Sequence, residues 1–185
     1  AKMHWNLALV LDSRLNRNDE AFDEYIKLSN KHWDSPYTRE ASTNAIALAQ
    51  DLVDAEPADT LAPADTAIVA ADVGEDKLRK ELQYVERPLA ASEEKLISAI
   101  NNYIKLFPHE DKTAARLTQA GSIYYNKHDF KNALKYFKTL LKHFPADSLS
   151  VDAEYLVMES YFGNLDFQSV EVVANRIREK DQDPD

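Results

Sequence analysis

Apolar side chains recur along most of this chain with a helical period. Over residues 2–15 they fall at Met3, Trp5, Leu7, Ala8, Val10, Leu11 and Leu15. Over 19–32, Ala21, Phe22, Tyr25, Ile26 and Leu28 form an i, i+3, i+4, i+7 stripe, the pattern of a helix that buries one face. Asn16-Arg17-Asn18 separates the two as a short turn. Ser35-Pro36 reads as an N-cap followed by a first-turn proline. It predicts a helix over about 36–54, with Ala41, Ala45, Ile46, Ala49, Leu52 and Val53 on its apolar face. Further helices are expected over 76–87, stopped by Pro88, and near 91–107, 111–127, 129–143, 150–163 and 166–179. Asp129 and Asp166 stand where N-caps are needed, each before an aromatic residue, in "DFKNAL" and "DFQSVE".

Three of these segments share a register. "SEEKLISAINNYIKLFP" (92–108), "DFKNALKYFKTLLKHFP" (129–145) and "DFQSVEVVANRIREKDQ" (166–182) are offset by 37 residues each time. Ala133 then corresponds to Leu96 and Val170, Phe137 to Ile100 and Ala174, Leu140 to Tyr103 and Ile177, and Pro145 to Pro108. A fixed period of this size, made of helix pairs, marks an all-α solenoid of antiparallel pairs, each burying its stripe against its neighbours. Small residues such as Gly121 and Ala133 let two helices approach closely. Tyr124 and Phe137 fill the gaps between pairs, and Pro145 ends the second helix.

Residues 55–75, "AEPADTLAPADTAIVAADVGE", interrupt the helical pattern with two "PADT" tetrads. They divide the chain into N-terminal helices (1–54), an acidic low-complexity linker or insert (55–75), a C-terminal array (76–182) and a tail (183–185). The insert reads as a solvated loop, with a partner-binding role as the alternative. The net charge of −10 gathers in the same places. Residues 54–76 hold seven acids and no base, and 179–185 hold four acids and Lys180, which leaves the rest of the chain neutral. A balanced body gives no overall basic field for nucleic acid.

Only three glycines, Gly74, Gly121 and Gly163, leave little room for tight turns or phosphate loops. Absence of cysteine excludes disulfides and thiolate metal sites and suits an oxidising compartment, although cytosolic proteins also lack it. No apolar run is long enough for a membrane span. The N-terminus "AKMHWNLALV" has no basic region ahead of a long apolar one and no initiator Met, so a processed chain or an excised fragment is expected.

The residues Leu117-x2-Ala120-Gly121-x2-Tyr124, then Ala133-x3-Phe137, then Pro145 resemble the tetratricopeptide repeat signature W-x2-L-G-x2-Y, A-x3-F, P. The departures are Leu for Trp and Ala for Leu. The last unit keeps Tyr161 but has Met158 for the glycine; the first keeps Trp5, Ala8, Ala21 and Tyr25 but has Leu9 and Asp12 at the Gly and Tyr places. The resemblance covers most of the chain outside 55–75. A 37-residue spacing, longer than the usual 34, is similar to that of bacterial envelope members such as the outer-membrane β-barrel assembly lipoproteins.

The resemblance implies a concave face lined by the first helix of each pair. Its positions here would be Ala115, Thr118, Ser122, Tyr125 and Asn126 in one repeat, and Asp152, Tyr155, Glu159 and Phe162 in the next. Tyr125, Tyr155 and Phe162 would make a partly aromatic groove for an extended peptide or a partner helix. Packing within the stack is the other reading for Tyr125 and Phe162. Some members of the family clamp a terminal carboxylate on this face with basic residues. The matching positions hold Thr118, Gln119, Ser122, Asp152 and Leu156, so an anionic peptide end would gain no charge-assisted bonds.

None of His4, His32, His109, His128 and His143 has metal-ligand spacing, and the histidines near helix ends read as caps. Glu93-Glu94 open a helix and complement its positive end. No nucleophile elbow, P-loop or calcium loop is present. The expectation is therefore a non-catalytic protein–protein interaction scaffold of tetratricopeptide type. It would take a protein or peptide partner, no cofactor, no metal and no nucleic acid, and would belong to a bacterial envelope assembly. A self-association module and an accessory domain of a larger polypeptide are the alternatives. A periplasmic or outer-membrane-associated location is favoured, with the cytoplasm as the other possibility.

Overall fold

In the computed structural model, residues 1–56 and 84–182 are described, with side chains as far as Lys180. Eight helices run through them in chain order: α1 (Lys2–Ser13), α2 (Asn18–Lys31), α3 (Thr38–Ala55), α4 (Ala91–Leu106), α5 (Asp111–Asn126), α6 (Phe130–His143), α7 (Leu149–Gly163) and α8 (Phe167–Gln182). No strand occurs among the described residues. Consecutive helices pack on one another: α1 on α2, α2 on α3, α3 on α4, α6 on α7 and α7 on α8. The fold is all-α, built as the sequential helix packing of a solenoid.

The helices form two compact units. Among described residues, the first takes 1–56 and 89–113, and the second takes 84–88 and 114–182. The core of the first is Tyr25, Leu28, Ile46, Leu96, Ile100 and Tyr103, all essentially without solvent contact. Trp5 stacks on Tyr37 at 5.4 Å and meets Tyr25 at 5.8 Å. The Asn102 amide donates to Ser29 Oγ at 2.8 Å, which ties α4 to α2. In the second unit Leu117, Ala133, Phe137, Leu140, Ala153 and Val157 are buried. Ala133, Phe137 and Leu140 are positions that the 37-residue register singles out, while its counterparts Val170 and Ala174 on α8 are only half-buried.

The repeat is visible in the hydrogen bonding as well as in the burial. Each of α2, α4 and α6 is closed by a residue of the same conformation: His32 (φ −133°, ψ 50°), Phe107 (φ −130°, ψ 58°) and Phe144 (φ −132°, ψ 51°). The freed carbonyl of each accepts a hydroxyl six residues later. Thr38 Oγ1 donates to His32 O at 2.5 Å, Thr113 Oγ1 to Phe107 O at 2.5 Å, and Ser150 Oγ to Phe144 O at 2.6 Å. All three hydroxyl residues are buried, so each bond satisfies a buried hydroxyl and a helix-end carbonyl at once. The sequence reading assigned helix-end roles to histidines; this hydroxyl device it did not identify.

The other connections turn on left-handed residues: Asn16 (φ 52°), His128 (φ 61°) and Leu165 (φ 59°). His128 and Leu165 stand one 37-residue period apart, and in each case the next N–H reaches back, Asp129 N to Tyr124 O and Asp166 N to Tyr161 O, both at 3.0 Å. Scarcity of glycine therefore did not exclude tight turns; ordinary residues carry them. Gly121 and Gly163 sit inside helices, where a Cβ would run into the rings of Phe137 and Phe130 respectively.

Asp129 and Asp166 cap as expected. Asp129 accepts from Asn132 N at 3.0 Å, and Asp166 from Ser169 N at 3.1 Å and Ser169 Oγ at 2.7 Å. Those bonds, first the hydroxyl and then the backbone amide, hold the Asp166 carboxyl below its usual range. Glu93 accepts from Ala90 N at 2.7 Å and so completes the start of α4.

Helix α1 ends at Ser13 and α8 runs to Gln182 rather than 179, and two further boundaries differ from expectation. Helix α3 begins at Thr38, not at 36: Ser35 Oγ accepts from Tyr37 N at 3.3 Å, and residues 33–37 form the turn whose bond runs from Thr38 to His32. Of the helix expected over 76–87, residues 84–87 are not helical, and 76–83 lie outside the described residues. So do residues 57–75 of the expected insert and the tail 183–185.

Candidate functional site

The eight candidate residues fall on two helices of the second unit, Thr118, Ser122, Tyr125 and Asn126 on α5 and Asp152, Tyr155, Glu159 and Phe162 on α7. Their spacings of three and four residues keep each set on one side of its helix. The structure joins the two sets at one point: Tyr125 Oη donates to Glu159 Oε2 at 2.9 Å. Burial, and then the Glu159 carboxylate beside it, push the Tyr125 hydroxyl far above its usual range. Tyr125 is therefore a neutral donor at physiological pH.

Tyr125 both packs inward and reaches the surface. It is half-buried, with its ring edge-on to Phe130 at 5.6 Å, while its hydroxyl reaches the surface carboxylate of Glu159. Phe162 is also half-buried and packs edge-on to Phe167 at 5.8 Å. The Thr118 hydroxyl donates to Ala114 O of its own helix at 3.1 Å. Asn126, Asp152, Tyr155 and Glu159 are exposed, as is Ala115, and Ser122 is partly so. Tyr155 lines a cleft of about 420 Å³ with Leu141, Pro145, Val151 and Arg176. It is placed with α6 and α8 rather than with the Tyr125–Glu159 pair.

The end of α5 carries a neighbour that the sequence did not reveal. Tyr84 meets Phe130 edge-on at 5.2 Å and His128 at 5.0 Å. Arg87 N donates to Lys127 O at 2.8 Å, and the Arg87 guanidinium donates to Asn126 O. The carbonyls at the C-terminus of α5 are thus satisfied by the chain at 84–87, and the cation lies at the negative end of the helix dipole. A helical reading of 76–87 hid this, because pattern alone cannot show a tertiary partner for a helix end.

One charged feature was also passed over. Lys131, Lys135, Lys138 and Lys142 follow one another at i, i+4, i+7 and i+11 on α6, and all four are exposed. The spacing was legible, but a neutral charge balance for the whole body concealed it. Among the described residues no group of three or more His, Asp or Glu could hold a metal ion, and no helix is long and apolar enough to cross a membrane. No protein-family model matches the chain, and no curated protein matches it.

Proposed function

We propose that the protein is a non-catalytic interaction scaffold of tetratricopeptide type that presents the first helices of its pairs to a protein or peptide partner in a bacterial envelope assembly. The carrying observation is the recurrence of one helix-closing turn at Phe107 and Phe144, 37 residues apart, with the same hydroxyl bond. Such a repeat builds a surface rather than a pocket for chemistry. On that surface Asn126, Asp152, Tyr155 and Glu159 are the exposed members. The 37-residue period and the cysteine-free chain support the envelope reading.

A photo-crosslinking amino acid placed at Asn126 or at Asp152, in the native host, tests this. The same discrete protein adducts are expected from both positions and not from Lys31, an exposed control in the first unit. Equal adducts from the control, or none from the two test positions, would sink the partner face. Fractionation of the same cells tests location; recovery with the cytosol alone would remove the envelope part.

Self-association is the second reading, favoured by one observation. Met3 (75% exposed), Leu7 (45%) and Val10 (40%) form an uncovered i, i+4, i+7 apolar stripe on α1. Light scattering across a concentration series would show a rising mass that Leu7→Lys abolishes; constant monomer mass would exclude it.

A further inference from the structure

The lysine line on α6 borders a groove. Lys138, Leu141 and Lys142 from α6, Val157 and Tyr161 from α7, and Val172, Val173 and Arg176 from α8 enclose about 520 Å³. Its floor is aliphatic, and Val172 on its edge is 64% exposed. At Leu141 and Arg176 it meets the cleft that holds Tyr155. On α7 the helical period sets Val157 and Tyr161 roughly opposite Glu159 and Asp152, so the groove lies apart from those two residues and adjoins the proposed partner face only through the cleft at Tyr155.

The charge on the groove is one-sided. Lys138 lies over the Tyr161 ring at 4.7 Å, and its charge also acts on the nearby Asp166 carboxylate. Lys131, Lys135 and Lys142 are exposed on the same helix face. Arg176 is partly neutralised, with Nε 3.7 Å from Glu154, a carboxylate that also holds Lys180 at 2.6 Å. Asp166 is the other acid near Lys138, and it is engaged by Ser169. Four lysines therefore run about 16 Å along α6 on a chain of net charge −10.

We infer that this groove binds an acidic segment of a protein partner, its carboxylates on the α6 lysines and its apolar side chains against Leu141 and the exposed Val172. Charge complementarity and the apolar floor together select that occupant. The field of the lysines acts within about 10 Å at moderate salt, the length scale of a short acidic segment. The groove's one aromatic ring, Tyr161, carries Lys138 over one face, so it is not a series of open faces on which successive bases stack. A concave groove also fits a segment better than it fits a flat lipid surface.

The test is fluorescence anisotropy with the full chain and a labelled sixteen-residue peptide of alternating Asp-Leu and Glu-Val pairs. Saturable binding that weakens steeply with added salt is expected. The peptide with Lys in place of each acid should not bind, and one with Ser in place of each apolar residue should bind at least about tenfold more weakly. Lys138→Glu with Lys142→Glu should weaken the acidic peptide by at least about tenfold, whereas Lys31→Glu with Lys105→Glu, exposed lysines of the first unit, should change it by less than about threefold. Circular dichroism of each variant confirms that it is folded. Three outcomes overturn the inference: no saturable binding, equal weakening by both lysine pairs, or binding of single-stranded oligouridine or phosphatidylglycerol vesicles without binding of the acidic peptide.

Discussion

Gly121→Ala should destabilise the protein although alanine is the better helix former. Gly121 lies within α5, where an added Cβ would stand 2.5 Å from Phe137 Cε1 and 2.9 Å from Cδ1 and Cζ. Carbon atoms rest about 3.5–4.0 Å apart, so the methyl group intrudes by roughly 1 Å on a rigid ring. Phe137 is wholly buried beside Leu140 and Ala133 and cannot swing into solvent. Overpacking of this kind costs about 1–3 kcal/mol, and a clash against an aromatic ring belongs in the upper part of that range. Alanine's higher helix propensity offsets about 1 kcal/mol. The net expectation is a loss of about 1–2 kcal/mol, read from urea unfolding followed by far-UV circular dichroism. A second arm isolates the cause. In a Phe137→Leu background the obstructing ring atoms are gone, so Gly121→Ala should there be neutral or stabilising, by up to about 1 kcal/mol. A neutral or favourable effect in the native background, or the same loss in both backgrounds, would refute the close-approach argument.

Two further outcomes follow from the hydrogen-bond geometry. Thr113→Val and Ser150→Ala each leave a helix-closing carbonyl, Phe107 O or Phe144 O, without its hydroxyl; each should cost about 1–3 kcal/mol in equilibrium unfolding, whereas Thr139→Val, whose exposed hydroxyl bonds only within its own helix, should stay within about 0.5 kcal/mol. Glu24 accepts from His4 Nδ1 at 2.7 Å and from Lys27 at 2.8 Å, and the His4 bond is the first cause of its lowered carboxyl pKa. A carboxyl lowered on folding stabilises above its unfolded value of 4.5 and loses that contribution as pH falls through the folded value. Glu24→Gln should therefore lower stability at pH 7 by about 1 kcal/mol and flatten the pH dependence below about pH 5; an unchanged acid limb in denaturant titrations would count against this assignment.

What the sequence determined by itself is the local and periodic part of the protein. Helical spacing placed α2, α5, α6 and α7 to within a residue or two, because a buried stripe must recur every 3.6 residues. Asp129 and Asp166 were readable as caps because the short carboxylate reaches only its own helix start. The 37-residue register named the buried positions Leu96, Ile100, Phe137 and Leu140, since each pair meets its neighbour through the same places. The tertiary structure decided whatever depends on partners distant in sequence. Tyr125 became a surface–core hybrid only because Glu159 and Phe130 meet it. The end of α5 is closed by Arg87, 39 residues away from Asn126. The lysines of α6 became a groove wall only once α7 and α8 supplied its floor and its far side. Period and capping are written within one turn of chain, whereas a surface is made by side chains that only folding brings side by side.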